Sequence, residues 1–220
     1  MSFKLYDYVL SGNCYKVRLM ASLLKVDYEV HTVDFHPGME HKSEELLAVN
    51  PAGTLPILEA EDLVLTDSAA MLVWMAAQFD PTGQWVPRAN PNALAEVTQW
   101  LGFSSELTAS VGQLRLHAML NREIDSVSVT LKSKEVMKRL ESHLCEQAIC
   151  GEAWLVGEHP TVADIACFAY AALSPDAGIE HDAYPAIRNW LYELRSLNGF
   201  ITMPGIHELH ELRSESSKDT

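Results

Sequence analysis

The first third of the chain combines two hydrophobic patterns, one with the period of a strand and one with the period of a helix. Apolar and polar residues alternate in Phe3–Tyr8 and again in Tyr28–Val33, as expected for strands. Between them lies the segment Cys14–Lys25, for which we interpret Asn13 as the N-cap. Its apolar residues recur at spacings of three and four, namely Val17, Met20, Ala21 and Leu24. The pattern predicts a strand–helix–strand unit with two parallel strands.

A hairpin and another helix follow this unit. Two short apolar runs, Pro56–Leu58 and Leu63–Leu65, flank an acidic turn and are typical of paired strands. A helix is predicted over Met71–Phe79, and the residues before it have N-capping side chains: Thr66, Asp67 and Ser68. With a short helix at Ser43–Ala48, the order of elements is βαβαββα. We therefore expect an α/β domain with a mixed four-stranded sheet.

The strand pattern ends near residue 80. Proline and glycine cluster in residues 81–91, which we interpret as a linker between a first domain of residues 1–80 and a second of residues 92–220. Asn90-Pro91 suits an N-cap followed by the first residue of a helix. The second domain is predicted to be an all-α helical bundle that ends in a polar, frayed tail over Ser214–Thr220. Its predicted helices are Asn92–Leu120, Leu131–Ala148, Thr161–Leu173 and Pro185–Leu197.

Composition narrows the possible partners. Of the 220 residues, 48% are hydrophobic, and the net charge is −14, which argues against binding to nucleic acid or to anionic membranes. An anionic small ligand would need a locally positive pocket. No apolar stretch is long enough to span a bilayer, and no leader pattern is seen at the N-terminus. The four cysteines have no paired spacing and are expected to be reduced thiols, so we expect a cytoplasmic protein.

The backbone that leads into the hairpin is suited to a small peptide. Pro56 restricts Leu55 to an extended conformation, which leaves a free stretch of backbone for pairing. The predicted helix nearby begins with hydroxyl and carboxylate side chains. The combination predicts a site for a short peptide that ends in charged groups.

Two motifs then give the chain a family resemblance. Asn-Pro-Ala-Gly-Thr-Leu-Pro at 50–56, with Thr-Asp-Ser at 66–68, resembles the glutathione-binding motif of cytosolic glutathione transferases, and Trp154–Ala166 resembles the signature of their C-terminal domain. The resemblance implies a thioredoxin-like first domain, glutathione as cosubstrate and a homodimer. It also implies a cis bond before Pro56, pairing of the Leu55 backbone with the cysteinyl unit of glutathione, and a capping box formed by Thr161 and Asp164.

The resemblance also implies the catalytic residues. Ser11 matches the catalytic serine of the Ser-type classes, whose hydroxyl donates to the glutathione sulfur and favours the reactive thiolate. Asn13 matches a second donor near the same sulfur, with simple helix capping as the alternative. Cys14 would instead support thiol–disulfide exchange, although its place in the first helical turn also suits a packed thiol.

The remaining site residues divide between the two substrates. Asp67 is expected to accept from the ammonium of the γ-glutamyl unit, and Ser68 to donate to its carboxylate at a helix N-terminus. His41 and Lys42 match the positions at which the family places a cation for the glycyl carboxylate. Arg115 and His117 are expected to be structural or exposed. The pocket for the electrophile is expected to include Tyr8, Leu10, Trp100, Ser104 and Leu107.

The sequence thus predicts a glutathione transferase that ionises glutathione for attack on a hydrophobic electrophile, with detoxification as its role. The alternatives are a glutathione-dependent disulfide reductase or peroxidase on the same scaffold, and a non-catalytic binding protein of similar fold. We predict no bound metal, although His207 and His210 are spaced i, i+3 beside Glu208 and Glu211.

Overall fold

The structure, a computed structural model, describes residues 2–207 and contains a four-stranded sheet followed by helices. The strand order is β2-β1-β3-β4, with β1 parallel to β2 and β3 antiparallel to both β1 and β4. The strands are β1 (Lys4–Asp7), β2 (Glu29–Thr32), β3 (Ile57–Ala60) and β4 (Leu63–Leu65). The helices are α1 (Gly12–Leu24), α2 (Glu44–Val49), α3 (Ser68–Phe79), α4 (Pro91–Ala109), α5 (Val111–Leu120), α6 (Ser126–Ile149), α7 (Val162–Ala172) and α8 (Pro185–Arg195).

The predicted fold class is confirmed, because the order up to Phe79 is βαβαββα and only helices, short 3-10 turns and one isolated β-bridge follow among the described residues. Local chemistry accounts for several helix starts. Ser43 and Asp67 cap α2 and α3 with side-chain oxygens. Asn90 caps α4 ahead of Pro91, as the sequence predicted. The domain limits of 1–80, 81–91 and 92–220 stay a proposal.

Helix α7 is the centre of the helical part. All eleven of its residues are buried, and it packs against α1, α3, α4, α5 and α8. Its capping box of Thr161 and Asp164 is confirmed. Asp164 also accepts from the backbone N–H of Leu155 at 3.0 Å and from the indole N–H of Trp190 at 2.9 Å. One buried carboxylate therefore joins the loop before α7 to α8.

The predicted start of α1 was wrong. The helix begins at Gly12 and Ser11 is its N-cap, because the Ser11 hydroxyl oxygen accepts the backbone N–H of Cys14 at 3.2 Å. Asn13 is therefore the second residue of the helix, and its capping role is excluded. Serine and asparagine cap about equally well, so capping preference alone did not distinguish the two positions.

The long helix predicted over Asn92–Leu120 is two helices. The backbone at Ser110 leaves the helical region, with φ −115° and ψ −80°, and α5 starts in a new direction. The Ser110 hydroxyl donates to the Glu106 carbonyl at 2.6 Å, a local bond of the kind that bends helices. Helix α5 is joined to the loop after β1 by Arg115, which donates to the Leu10 carbonyl at 2.6 Å.

Smaller differences concern the end of helix α8 and the C-terminal tail. Helix α8 ends at Arg195, before the expected Leu197. The tail Ser214–Thr220, together with Glu208, His210 and Glu211, lies outside the described residues. None of the helices in residues 2–207 is both long and apolar enough to cross a bilayer.

Replacing Asp164 by alanine is expected to destabilise the protein by about 3 kcal/mol or more. The buried N–H groups of Leu155, Thr161 and Trp190 would each lose their acceptor, and an unsatisfied buried donor costs about 1–3 kcal/mol. Urea unfolding followed by circular dichroism measures the change. Asp125→Ala, which removes the exposed cap of α6, is the control and should cost about 1 kcal/mol. Equal losses in the two variants would contradict the role given to Asp164.

Candidate functional site

A cleft of about 550 Å³ lies between the sheet domain and helices α5 and α7, and we call it the interdomain cleft. Its volume is within the range of about 300–1,000 Å³ that is usual for ligand sites. The residues described along its walls include no aspartate or glutamate, although the chain has 30 acidic residues. Its basic side chains are His36, His41, Lys42, Arg115 and Arg122. This is the locally positive pocket that an anionic ligand requires in a chain of negative charge.

A second hollow, also of about 550 Å³, lies beside Arg18 and residues 201–207. Arg18 is already paired there with Asp7 at 2.7 Å, and none of the predicted site residues lines this hollow. The interdomain cleft, which contains Ser11 and Leu55, is therefore the candidate site.

Ser11 lies in the wall of the cleft at the start of α1. Its hydroxyl oxygen accepts from Cys14, so its proton remains available for a ligand. Its backbone is held by a bond from its N–H to the Tyr8 carbonyl at 2.9 Å. The positive end of the helix dipole points the same way. Hydroxyl and dipole together are suited to stabilise an anionic atom such as a thiolate.

Cys14 lies one turn away but is fully buried. Burial raises the pKa of its thiol to about 12, with a further contribution from Asp7, and the opposing effect of the Ser11 hydroxyl is smaller. The thiol therefore stays protonated at neutral pH. A protonated, enclosed thiol is a poor nucleophile.

Asn13 is half-buried and also lines the cleft. Its side-chain oxygen lies 3.5 Å from the hydroxyl of Thr108, at the limit of a hydrogen bond, and Thr108 makes a shorter bond of 3.0 Å to the Ser104 carbonyl. The amide N–H groups of Asn13 stay candidate donors to a ligand, as predicted.

Leu55, in the loop before β3, is part of the lining of the cleft. Asn50 organises this loop, with its side-chain N–H₂ donating to the Thr54 carbonyl at 2.8 Å and its side-chain oxygen accepting from the N–H of Ala52 at 3.2 Å. Sheet pairing between β1 and β3 begins only at Ile57, beyond Leu55. The Leu55–Pro56 bond is cis, as the resemblance implied.

Lys42 crosses over the same loop. Its ammonium donates to the Ala52 carbonyl at 3.1 Å, and a Cβ added at Gly53 would come within 2.5 Å of the Lys42 nitrogen. Gly53 also has φ +56°, a backbone conformation that favours glycine. The loop and the cation are thus packed as one unit at the edge of the cleft.

His41 stacks on Phe35, with 3.9 Å between ring centroids, and is only 5% exposed. Its Nδ1 has no hydrogen-bond partner among residues 2–207. Burial lowers the pKa of His41, with smaller contributions from Lys42 and Arg122. We therefore expect a neutral imidazole, so that the positive charge near this position comes from Lys42 and Arg122.

Asp67 and Ser68 are at the start of α3, as predicted, but neither is part of the lining of the interdomain cleft. The Asp67 carboxylate accepts the Ala70 N–H at 2.9 Å and lies close enough to Lys16 to favour its charged form. Lys16 in turn reaches Thr108, which does line the cleft. Asp67 and Ser68 are therefore near the cleft, beyond Lys16.

The residues predicted for the electrophile pocket separate into two groups. Tyr8 and Leu10 line the cleft. Trp100, Ser104 and Leu107 do not: all are buried in the packing of α4. They share a helix face, but that face is directed to the core, and Thr108 lines the cleft instead.

Several lining residues were not predicted. They come from the loop after β2, from α5 and from α7, and include Phe35, Met39, Leu116, Met119, Leu120 and Tyr170. Arg115, which was expected to be structural or exposed, is buried and holds α5 in place by donating to the Leu10 carbonyl at 2.6 Å and to Asp176 at 2.9 Å. The available signal for Tyr170 was a tyrosine in a helix of mostly small and apolar residues, because a buried phenol needs a polar partner. The α5 residues were missed because the break at Ser110 was not predicted.

No cluster of three potential metal ligands is found in the part of the chain that the structure describes. The spacing of His207 and His210 extends beyond that part.

Comparisons with known proteins agree with this geometry. The model for "Glutathione S-transferase, N-terminal domain" matches residues 10–78, and that for "Glutathione S-transferase, C-terminal domain" matches residues 112–198. Glutathione S-transferase theta-1 of Bos taurus is 25% identical over 219 residues, which cover 95% of this chain and 89% of the bovine protein.

Solved structures give the same result. A glutathione S-transferase from Pseudomonas fluorescens has a TM-score of 0.81 and 30% identity, and the match covers 91% of this chain and 98% of that one. A glutathione transferase homolog from Lodderomyces elongisporus, solved with two GSH per subunit, has a TM-score of 0.79 and 22% identity over 90% of this chain and 95% of its own, which is a likeness of fold. Together the two family matches cover most of the sequence, and the chain therefore belongs to the glutathione S-transferase family.

Proposed function

We propose that the protein is a glutathione transferase that binds glutathione in the interdomain cleft and holds its sulfur as a thiolate for attack on an apolar electrophile. The observation that carries this proposal is the Ser11 hydroxyl. It lies at the N-terminus of α1, its proton is free to donate, and the cleft around it has no described acidic side chain.

The interactions of the cleft with the sulfur supply enough free energy to favour the thiolate of glutathione without a general base. A free thiol has a pKa of about 8.5 and is only a few per cent ionised at neutral pH. Lowering that pKa by about 1.5–2 units requires roughly 2–2.7 kcal/mol of preference for the thiolate. A hydrogen bond to a charged atom contributes about 1.5–3 kcal/mol, and a helix N-terminus about 0.3–1 kcal/mol. Ser11 and the start of α1 together reach the required value.

The rest of the cleft suits an extended tripeptide. In the proposed pose, the Leu55 backbone pairs with the cysteinyl unit, and Lys42 and Arg122 face the glycyl carboxylate. Asp67 and Ser68, beyond Lys16, bind the γ-glutamyl end. The GSH-bound homolog from Lodderomyces elongisporus supports glutathione as the ligand of this fold. The apolar side chains of Tyr8, Leu10, Leu116, Met119 and Leu120 provide the surface for the electrophile.

The rival functions have less support. A disulfide reductase needs an accessible thiol of low pKa, whereas Cys14 is buried and its pKa is raised. A non-catalytic binding protein would not require a free hydroxyl at the start of α1. A homodimer in the cytoplasm with a role in detoxification is part of the same proposal and rests on family membership.

Replacing Ser11 by alanine is expected to lower kcat for conjugation of chlorodinitrobenzene by about 10- to 100-fold at neutral pH. The loss of one hydrogen bond to the thiolate raises the pKa of the bound thiol by about 1–2 units, so activity should recover as the pH is raised. Steady-state kinetics at several pH values measure this. The KM for glutathione should change little.

Ser43→Ala is the matched control for Ser11→Ala, because it removes a serine N-cap from α2 outside the cleft. It should lose helix stability of about 1 kcal/mol and keep its activity. Full activity in Ser11→Ala would contradict the proposal. Loss of disulfide reduction in Cys14→Ala, with Ser11→Ala unaffected, would favour the reductase instead.

Replacing Lys42 by alanine is expected to weaken glutathione binding by about 3- to 10-fold, with kcat nearly unchanged. An exposed cation contributes up to about 1 kcal/mol to an ion pair, and the loop at Ala52 also loses a donor. Isothermal titration calorimetry at low and high salt measures the effect, which should shrink as salt rises. Lys138→Ala, on the exposed face of α6, is the control. Equal affinity in the Lys42 variant and the control would place the glycyl carboxylate elsewhere.

A further inference from the structure

We propose that the Tyr170 hydroxyl is a second hydrogen-bond donor to the glutathione sulfur, reaching it from α7 on the wall opposite the sheet domain. This inference rests on the proposed function, since it concerns the same thiolate. It gives the helical part of the chain a catalytic residue of its own.

The position of the Tyr170 ring is fixed by two glycines. A Cβ added at Gly12 would lie 2.9 Å from the ring carbon Cζ and 3.3 Å from the hydroxyl oxygen, and one added at Gly112 would lie 2.9 Å from Cε1. Neither position tolerates a side chain without moving the ring. The absence of two side chains thus lets the ring lie between the start of α1 and the start of α5.

The cation of Lys16 holds the ring further. Its ammonium lies 5.2 Å from the ring centroid and 3.5 Å from the Thr108 hydroxyl, and the residue is only 1% exposed. A cation at this distance from a tyrosine ring is attractive. The ring is therefore packed rigidly, and rigid placement is what a catalytic donor requires.

The Tyr170 hydroxyl oxygen is within hydrogen-bonding reach of the backbone N–H of Asn13. That N–H favours the ionised form of the phenol, and because it occupies only one lone pair of the oxygen, it leaves the hydroxyl proton for an acceptor in the cleft. Tyr170 is 8% exposed and lines the interdomain cleft. A buried hydroxyl normally also donates its proton, so we infer that a ligand atom in the cleft accepts from Tyr170.

The hydroxyl stays protonated under ordinary conditions. Burial raises the pKa of Tyr170 to about 12, and the nearby charge of Arg115 offsets this only in part. The phenol is therefore a neutral donor at neutral pH and not a base. A donor of this kind stabilises negative charge without taking up a proton.

Ser11 and Tyr170 then place two hydroxyl groups at the first turn of α1. Ser11 is the residue before Gly12, and the Tyr170 hydroxyl lies against Gly12 itself. An anionic sulfur at this helix end accepts from both. Because both bonds are stronger with the thiolate than with the thiol, both lower the pKa of bound glutathione.

The test is a titration of the thiolate absorbance of bound glutathione in the ultraviolet, in four forms of the protein. These are the wild type, Ser11→Ala, Tyr170→Phe and the double variant. We expect Tyr170→Phe to raise the pKa of the bound thiol by about 1 unit and to lower kcat about 10-fold at neutral pH. The KM for glutathione should stay within about twofold, and the double variant should approach the ordinary thiol pKa of about 8.5.

Tyr184→Phe is the matched control, since it removes a half-buried phenol from the same part of the chain outside the cleft. It should titrate like the wild type. If the bound thiol has the same pKa in Tyr170→Phe as in the wild type, the inference is overturned and the proposed function is not. If kcat falls while that pKa stays unchanged, the hydroxyl acts on the electrophile instead. Absence of bound thiolate in the wild type would overturn the proposed function and the inference with it.

Discussion

The buried carboxylate of Asp164 is the interaction on which the arrangement of the site depends. It accepts hydrogen bonds from Leu155, Thr161 and Trp190, and so sets where α7 begins and how it is oriented. Helix α7 in turn packs against α1, whose first residue carries no side chain at its contact with Tyr170. The position of the α1 N-terminus, and with it Ser11, therefore depends on a polar network that is not part of the cleft lining.

The charge distribution is the second constraint. A net charge of −14 repels anions at long range, yet the described lining of the interdomain cleft contains basic side chains and no acidic ones. Over the distance of a Debye length, about 8 Å in physiological salt, these local charges outweigh the remote ones. A locally positive surface suited to an anion is therefore compatible with a negative net charge, and the net charge does not report it.

Chemical types were easier to predict than positions. Ser11 was predicted to be a donor, which stays a proposal, but the sequence was interpreted with Asn13 as the cap, because both residues cap helices equally well. Trp100, Ser104 and Leu107 have the spacing of one helix face, and that face turned out to be directed to the core. Periodicity identifies which residues share a face, but what the face contacts depends on the packing of other helices.

By itself the sequence determined the βαβαββα order and the helical second part, and its resemblance to the family implied the cis bond at Leu55–Pro56 and the capping box of Thr161 and Asp164. These depend on residues close together in the chain, where turn, cap and periodicity preferences act directly. Only the tertiary structure decided that Cys14 is buried and that the helix is interrupted at Ser110. It also decided that Tyr170 contacts Gly12, more than 150 residues earlier in the sequence. Burial, and the pKa changes that follow from it, depend on which distant surfaces meet, and local preferences do not contain that information.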